Sequence, residues 1–480
     1  MYVFPKRILN LSIAVLASAL CAKASQAATR EQPNVILILV DDLGYGDLGS
    51  YGQKKIKTPH LDKLGSQGTR FTSAYAGATV CAPSRCALMT GMHTGHGRVR
   101  GNRRETTPGV FLAAEDVTIA EVMKEAGYRT AFVGKWGLGE VGERAAGLPR
   151  RQGFDYSFGY LNQSHAHNSY PSHMWRNESK IHFPNTVPDE NELGMGVSDN
   201  KEVFSQDVFM EEVLGYLDEQ QGSEDPFFLY FAPTLPHANN ESRPFGLEIP
   251  DYGEYIDKEW TDAHKAYAAM VGRIDSDVGK IMQRLESLGI DQNTLVIFTS
   301  DNGPHQERGA DPEFFQSSGP FKGIKRDLYE GGIRVPMIVH WPAQVPAGRV
   351  DDTPWYFPDV LPTLATIAGV EAPRGIDGVD VSPLLLGARQ PELDERLLYW
   401  EFHEQSKPQA ARRGDWKAVR CCGSGRVELY FLPNDPGETN DLAPLYRPLQ
   451  AQFSREMLEA RTVSPYWPYP LDDTSFVRQK

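Results

Sequence analysis

One stretch near the start of this chain strongly restricts its fold. Residues 35–40 are all aliphatic, several of them β-branched, and Asp41 and Asp42 follow directly. A continuous apolar run of this length is typical of a strand buried on both faces, as in a parallel sheet covered by helices. Open α/β sheets bind ligands at the carboxyl ends of such strands, so two carboxylates there indicate a site for Ca²⁺ or Mg²⁺.

The same order of residues recurs later in the chain. Residues 293–300 include the run Leu-Val-Ile-Phe, and Asp301 and Asn302 come next. The preceding segment, residues 262–288, has apolar residues at helical intervals with charged ones between, which predicts a long amphipathic helix. Two strand ends with oxygen donors indicate one shared cation site more strongly than either does alone.

The composition limits the size class and the partners. The chain has 480 residues, of which 40% are hydrophobic and 23% charged, enough for one large core and a smaller unit. Its formal net charge of -14 argues against a general binder of polyanions such as nucleic acid. An anionic substrate would have to be attracted by a local group of basic side chains.

Residues 1–27 have the composition of a secretory signal peptide. Lys6 and Arg7 provide the positive segment, residues 8–21 are mostly apolar, and small residues recur from 22 to 28. The apolar run is shorter than the ~20 residues that a membrane span requires. We therefore expect cleavage between residues 24 and 28 and an exported protein, periplasmic or secreted, with no membrane span.

Beyond the signal, the chain divides into two predicted parts. Residues 33–375 alternate apolar strands with helical segments, and a stretch rich in Gly and Asp follows. Residues 376–480 contain shorter elements, namely strand-like segments at 397–402, 416–420 and 427–431 and a helical one at 447–461. We expect an α/β fold with a large mixed sheet flanked by helices, plus a small C-terminal domain with an antiparallel sheet and one helix.

The cysteines do not form a disulfide scaffold, since the chain has only five. Cys421 and Cys422 are adjacent, which allows a strained vicinal disulfide, two separate thiols, or one paired and one free cysteine. The sequence leaves these alternatives open.

Residues 44–49 match the G-x-G-x-x-G pattern of dinucleotide-binding sites. Two observations argue against that function. Asp41 and Asp42 separate the glycines from the strand and would repel a pyrophosphate, and Asp62, the candidate ribose ligand, lies in a helical segment. Residues 41–47 instead resemble the first-strand motif of the sulfatase family.

Residues 81–91 read Cys-Ala-Pro-Ser-Arg-Cys-Ala-Leu-Met-Thr-Gly. This segment resembles the sulfatase signature that begins C-x-P-S-R. In that family the first Cys is oxidised after translation to formylglycine, whose hydrate is the nucleophile, and the signature Arg holds it. The resemblance implies these roles for Cys81 and Arg85, with a formylglycine-generating enzyme as maturation partner. Pro83 favours a helix start, which would place Cys81 just before a helix N-terminus, where an anionic group is favoured.

Two further segments resemble sulfatase motifs. Residues 134–139, Gly-Lys-Trp-Gly-Leu-Gly, are similar to G-K-W-H-L-G, which implies a sulfate or diol contact for Lys135. Residues 329–336 resemble Y-E-G-G-x-R-x-P, whose catalytic Lys lies four residues before the Tyr. That residue is Lys325 here, and Lys322 is a second candidate.

Histidines complete the implied site. In sulfatases a His after the strand corresponding to residues 226–232 protonates the leaving group or contacts sulfate, and His237 has that position. Gly137 stands where G-K-W-H-L-G has its His, so another residue must supply that contact. We favour His167, and we expect its neighbour His165, on the same exposed polar segment, to point elsewhere. His305 and His403 are further candidate substrate contacts.

The resemblance extends over nearly the whole chain after the signal and implies an alkaline-phosphatase-like fold. It implies hydrolysis of sulfate esters, with features typical of polysaccharide sulfatases and a sulfated carbohydrate as substrate. The implied cation is Ca²⁺ in preference to Mg²⁺, held by Asp41, Asp42, formylglycine 81, Asp301 and Asn302. Two alternatives remain: a phosphonate or phosphodiester hydrolase with the same signature, and a carbohydrate-binding relative that has lost catalysis.

Overall fold

The computed structural model describes residues 32–102, 109–142, 145–404, 406–421 and 425–471. The predicted signal peptide lies outside these residues, and so does Cys422. Cys81, Cys86 and Cys421 are free thiols. Among the described residues, no helix combines the length and the apolar character that crossing a bilayer demands.

The described residues form sixteen strands and ten helices. The strands are β1 (Asn34–Val40), β2 (Thr69–Phe71), β3 (Ala74–Tyr75), β4 (Arg129–Lys135), β5 (Tyr156–Tyr160), β6 (His173–Arg176), β7 (Ser179–His182), β8 (Phe227–Ala232), β9 (Thr294–Ser300), β10 (Met337–His340), β11 (Arg349–Asp351), β12 (Trp355–Tyr356), β13 (Leu397–Glu401), β14 (Gln409–Arg413), β15 (Trp416–Arg420) and β16 (Val427–Phe431). The helices are α1 (Pro59–Gln67), α2 (Cys81–Thr90), α3 (Ile119–Glu125), α4 (Ser205–Glu219), α5 (Asp262–Leu288), α6 (Pro312–Phe315), α7 (Glu330–Ile333), α8 (Val360–Ala368), α9 (Ser382–Leu385) and α10 (Arg447–Glu459).

Ten strands make one mixed sheet in the order β11-β2-β10-β9-β1-β8-β4-β5-β6-β7. Its centre, from β9 to β5, is parallel, whereas β10 and β6 add antiparallel strands on either side. The carboxyl ends of the central strands therefore meet at one edge, where a ligand site is expected.

Strand β1 lies at the middle of this sheet and separates two cores. Residues 35, 37 and 39 pack on one side with α2, α3, α8 and α9, and residues 36, 38 and 40 pack on the other with α1, α4 and α5. Both faces of β1 are therefore apolar, which explains its uninterrupted aliphatic sequence. The predicted strand and the predicted long helix α5 are both confirmed.

Strands β13 to β16 form a separate antiparallel sheet, and α10 packs against it. Three of these strands match the predicted segments, whereas β14 was not predicted. The indole N–H of Trp400 on β13 donates to the Ala76 carbonyl oxygen at 2.9 Å, which joins this sheet to the chain before α2. The predicted fold class, a large mixed sheet flanked by helices with a small C-terminal antiparallel sheet, is confirmed.

A buried ionic cluster also ties the small sheet to the main body. Lys417 on β15 is fully buried, and its Nζ lies 2.9 Å from Glu330 on α7 and 3.0 Å from Glu438. Burial opposes ionisation of Glu330, but Lys417 and Arg334 outweigh it and lower the pKa of Glu330 to about 2. Burial raises the pKa of Glu438 to about 7.

We predict that Lys417→Met lowers the free energy of unfolding by ~3–5 kcal/mol, because it removes the buried cation that Glu330 and Glu438 share and leaves Glu330 paired with Arg334. Urea unfolding measures the change. The control is Lys124→Met, which removes an exposed pair with Asp155 and should cost no more than ~1 kcal/mol. Equal effects of the two substitutions would contradict a stabilising role for the buried cluster.

Candidate active site

Asp41 and Asp42 follow strand β1, and Asp301 and Asn302 follow strand β9. The two strands are neighbours, so these four candidate metal ligands lie side by side. Val40 is opposite Ser300 in the parallel register, and the Asp301 N–H donates to the Val40 carbonyl oxygen at 3.0 Å. Asp42 has a left-handed φ of 67°, which is uncommon for a residue other than glycine. Its N–H donates to Asp301 Oδ1 at 3.1 Å, so the strained turn is fixed by the second strand end.

Cys81 lies against this group. Its candidate ligand atom and those of Asp41, Asp42 and His237 all lie within 4.8 Å of one another. The helix begins at Cys81, with Val80 as N-cap, so the prediction that Cys81 precedes the helix was wrong by one position. Pro83 falls inside the first turn, which is compatible with a missing N–H. Burial raises the pKa of the Cys81 thiol, so an unmodified Cys81 stays protonated and is a poor nucleophile.

Arg85 is one helical turn after Cys81 and is completely buried. Its Nε and Nη2 donate to Asp301 Oδ2 at 3.0 and 2.8 Å, and Nη2 lies 3.6 Å from Asp41 Oδ1. A surface ion pair is therefore excluded for Arg85. Its guanidinium joins the signature helix to both strand ends.

Two lysines complete the charged cluster. Strand β4 ends at Lys135, whose Nζ donates to Asp41 Oδ2 at 2.7 Å. Lys325 Nζ donates to Asp42 Oδ2 at 2.7 Å and lies 3.2 Å from His237 Nε2. Burial alone would lower the pKa of Lys325, but Asp42 and neighbouring acidic groups outweigh it and raise the pKa.

The three carboxyl groups titrate differently. Burial alone would raise the pKa of Asp41, but Lys135 and Arg85 outweigh it, and the pKa lies well below its usual range. Burial also opposes ionisation of Asp42, and Lys325 outweighs it. For Asp301, burial and then the negative charge of Asp41 raise the pKa to about 7, although Arg85 opposes them. Of the three carboxyl groups, Asp301 is therefore the one whose negative charge is least stabilised by the neighbouring cations.

His237 is neutral in this arrangement. Its Nδ1 lies 2.7 Å from the Ala238 carbonyl oxygen, which can only accept, so Nδ1 carries the proton. Nε2 is then free to accept from Lys325. Burial and the Lys325 charge lower the pKa of His237 to about 3.

Three histidine rings stack beside this cluster. The ring centroids of His167 and His237 are 5.1 Å apart with an interplanar angle of 11°, and those of His237 and His305 are 5.8 Å apart at 19°. His167 Nδ1 lies 3.1 Å from Glu241, and His305 Nε2 lies 3.1 Å from the Pro236 carbonyl oxygen. The structure thus brings both predicted histidines next to His237.

Two other sequence candidates, Lys322 and His403, have different neighbours, and His165 points elsewhere, as expected. Lys322 Nζ sits 3.7 Å from the centre of the Tyr329 ring and is 3.4 Å from the Glu438 carbonyl oxygen. His403 is buried, with Nε2 2.7 Å from Glu401. His165 is also buried, so the prediction of an exposed segment was wrong there.

Gly137 has a physical reason to lack a side chain. Its φ is +76°, and a Cβ atom there would lie 2.1 Å from Gln163 Nε2. Gln163 therefore occupies the space of the expected His, and sequence analysis missed it because no motif marks it. Glu307 was missed as well. Its carboxylate lies 3.5 Å from Lys325 and 3.9 Å from His237.

The oxygen donors fit a hard divalent cation. Asp41 Oδ1 and Asn302 Oδ1 are buried and have no hydrogen-bond partner among the described residues. Buried acceptors without partners are costly unless a cation or water satisfies them. Carboxylate and amide oxygens are the ligands that Ca²⁺ and Mg²⁺ prefer.

Comparisons with known proteins agree with this geometry. The model of the sulfatase family matches residues 33–370, and the model described as N-sulphoglucosamine sulphohydrolase, C-terminal, matches residues 321–463. N-acetylgalactosamine-6-sulfatase of Canis lupus familiaris is 34% identical over 409 residues, covering 82% of this chain and 72% of that protein. Arylsulfatase A of Homo sapiens is 32% identical over 472 residues, covering 88% of this chain and 86% of that protein.

A solved structure extends the similarity to three dimensions. The crystal structure of Ps i-CgsB in complex with k-i-k-neocarrahexaose superposes with a TM-score of 0.77 and 28% sequence identity, covering 91% of this chain and 95% of that chain. The family model spans both strand ends, the signature helix and Lys325. The chain therefore belongs to the sulfatase family of enzymes.

Proposed function

We propose that this sulfatase hydrolyses sulfate esters on carbohydrates, with a formylglycine derived from Cys81 as nucleophile. The main support is the burial of Cys81 beside Asp41, Asp42 and His237. A thiol whose pKa is raised by burial is poorly suited to attack sulfur itself. Conversion of Cys81 to an aldehyde by a formylglycine-generating enzyme would replace that thiol with a hydrated group able to act as nucleophile.

The basic side chains provide a site for the sulfate group. Arg85, Lys135 and Lys325 are buried cations in a chain whose formal net charge is -14. Their positions are fixed by the carboxylates, so they are preorganised to stabilise negative charge that develops on sulfate oxygens. Lys325 Nζ donates to His237 Nε2, so this pair would handle the proton at the leaving oxygen.

A divalent cation, Ca²⁺ in preference to Mg²⁺, would be held by Asp41, Asp42, Asp301, Asn302 and the group formed from Cys81. When bound, it supplies positive charge and lowers the pKa of an oxygen ligand. The unpartnered oxygens of Asp41 and Asn302 support this assignment.

Carbohydrate is the substrate class that the relatives favour. One relative is named for a 6-sulfated N-acetylgalactosamine, and the Ps i-CgsB structure holds k-i-k-neocarrahexaose. His167 is the partly exposed ring of the histidine stack and would contact the sugar, whereas His237 and His305 are buried behind it. We also propose export, which the composition of residues 1–27 supports.

The test measures sulfate release from a panel of sulfated mono- and oligosaccharides, with a matched phosphodiester for comparison. The protein is produced in a host with the maturation enzyme. We expect faster turnover of a sulfate ester, an aldehyde at position 81 by peptide mass spectrometry, and a loss of ~10³-fold or more in Cys81→Ala. Cys86→Ala, in the same helix, is the control. It should keep both the turnover of the sulfate ester and the aldehyde at position 81. An unmodified thiol in fully active enzyme, or preference for the phosphodiester, would contradict the proposal.

Metal removal gives a second prediction. Chelation should abolish turnover, and added Ca²⁺ should restore it. Asn302→Ala should weaken Ca²⁺ binding by at least ~10-fold in calorimetry, since losing even an outer partner of a metal site costs that much. Asn440→Ala, at an exposed turn, is the control and should bind Ca²⁺ normally. Full activity in a rigorously metal-free preparation would rule the cation out.

The third prediction concerns the contact that Gly137 cannot make. We expect His167→Ala to lower kcat/KM on a sulfated saccharide by at least ~100-fold, because it removes a preorganised polar group beside His237. His182→Ala, an exposed residue at the end of β7, should leave the rate unchanged. If His167→Ala is near native and Gln163→Ala is impaired, the role belongs to Gln163 instead.

A further inference from the structure

A second cluster of metal-ligand side chains lies apart from the active site. Candidate ligand atoms of His165, His173 and Glu190 all lie within 4.8 Å of one another. His165 begins the short turn that ends at His167, whereas His173 begins β6. Neither His165 nor His173 contacts the carboxylates at the strand ends, so the active site does not explain why they converge.

His165 is the residue that points to a ligand. Its side chain is buried, and Nε2 has no hydrogen-bond partner among the described residues. The His165 ring also forms a hydrogen bond with the backbone of His173, which favours a protonated ring nitrogen. Because Nε2 is unpartnered, that interaction falls on Nδ1, and Nε2 carries the lone pair. A metal-binding His has this arrangement, with its second nitrogen donating to a backbone carbonyl.

His173 and Glu190 have the spacing of two ligands of one ion. His173 Nδ1 lies 3.3 Å from Glu190 Oε1. Two donors each ~2.0–2.1 Å from a tetrahedral Zn²⁺ lie roughly 3.3–3.4 Å apart. Ser172 Oγ donates to Glu190 Oε1 at 2.6 Å, so His173 Nδ1, which lies 2.9 Å from the same Oγ, carries a proton that zinc binding would have to displace.

The surroundings fix the His165 ring in place. Tyr160 contacts it edge-on with ring centroids 4.8 Å apart, and the His173 ring is 4.5 Å away. On another side, a Cβ atom at Gly194 would lie 2.5 Å from His165 Cδ2, so only a glycine allows the loop to cover the ring. Glu190 is a quarter exposed, which leaves a path for an ion from solvent.

We propose that His165, His173 and Glu190 form a second metal site, for a divalent transition-metal cation of the Zn²⁺ class. Two imidazoles and one carboxylate form a ligand set that zinc favours, with a fourth position for water. Binding of the cation releases the protons that its ligand nitrogens carry.

The other histidine cluster outside the active site does not carry the same inference. His93 Nδ1 accepts from the Gly95 N–H at 3.1 Å, and its Nε2 lies 3.5 Å from Asp377. His96 Nδ1 lies 2.8 Å from the same carboxylate. No buried side-chain atom of His93, His96 or Asp377 lacks a hydrogen-bond partner among the described residues, whereas His165 Nε2 does.

The test counts zinc on the full chain, purified without a histidine tag and stripped of metal. Saturating Ca²⁺ is present so that the active site does not compete. In equilibrium dialysis with ZnCl₂ followed by elemental analysis, the unmodified protein should bind one Zn²⁺ tightly. Glu190→Gln and His173→Gln should bind it at least ~100-fold more weakly, the upper end of the loss caused by an outer-shell change. Zinc X-ray absorption should show two imidazole ligands.

His96→Gln and Asn302→Ala are the matched controls and should keep the zinc. Circular dichroism checks the fold of each variant. Glu190→Gln decides the case if His173→Gln does not fold, because Glu190 is near the surface. Equal zinc binding by the unmodified protein and Glu190→Gln, or none by the unmodified protein, would overturn the proposal. Neither result bears on sulfate release, which is measured separately.

Discussion

The site at the carboxyl ends of the central strands depends on the pairing of buried carboxylates with buried cations. The three carboxylates at the strand ends are fully buried, and so are three cations that come from separate parts of the chain, namely Arg85 on α2, Lys135 at the end of β4 and Lys325 before α7. Leaving one such charge without its partner costs several kcal/mol, so each element must dock in register with the others. The geometry of the site is therefore a condition of folding as well as of catalysis.

This compensation also explains why the site can serve an anionic ester in an acidic protein. The cations are held by 2.7 to 3.0 Å contacts to carboxylates and need not move when a sulfate group arrives. A fixed cation in a site with little water acts more strongly on developing charge than a mobile surface lysine does. The raised pKa of Asp301 shows that the basic side chains stabilise this carboxylate less than they stabilise Asp41 and Asp42.

The sequence was most informative where one local pattern determines burial. Strand β1 and helix α5 were predictable because two-sided burial gives a continuous apolar run and one-sided burial gives helical spacing. Strand β14 was not predictable, since it reads Gln-Ala-Ala-Arg-Arg and buries polar groups. Its Gln409 donates to the Met457 carbonyl oxygen, and its Arg412 lies against Tyr75, and both contacts come from distant parts of the chain. The positions of Gln163 beside Gly137 and of Glu307 beside Lys325 likewise depend on contacts between separate segments.

The turn at residues 165–167 shows how such remote contacts reach the site. In a 3₁₀ turn, residues two positions apart point roughly 120° from each other. His165 is accordingly buried against Tyr160 and Gly194, while His167 stacks on His237. One short turn thus contributes to the interior histidine cluster and to the ring stack beside His237. Because so short a turn has little freedom, whatever fixes His165 inside also fixes the orientation of His167 outside.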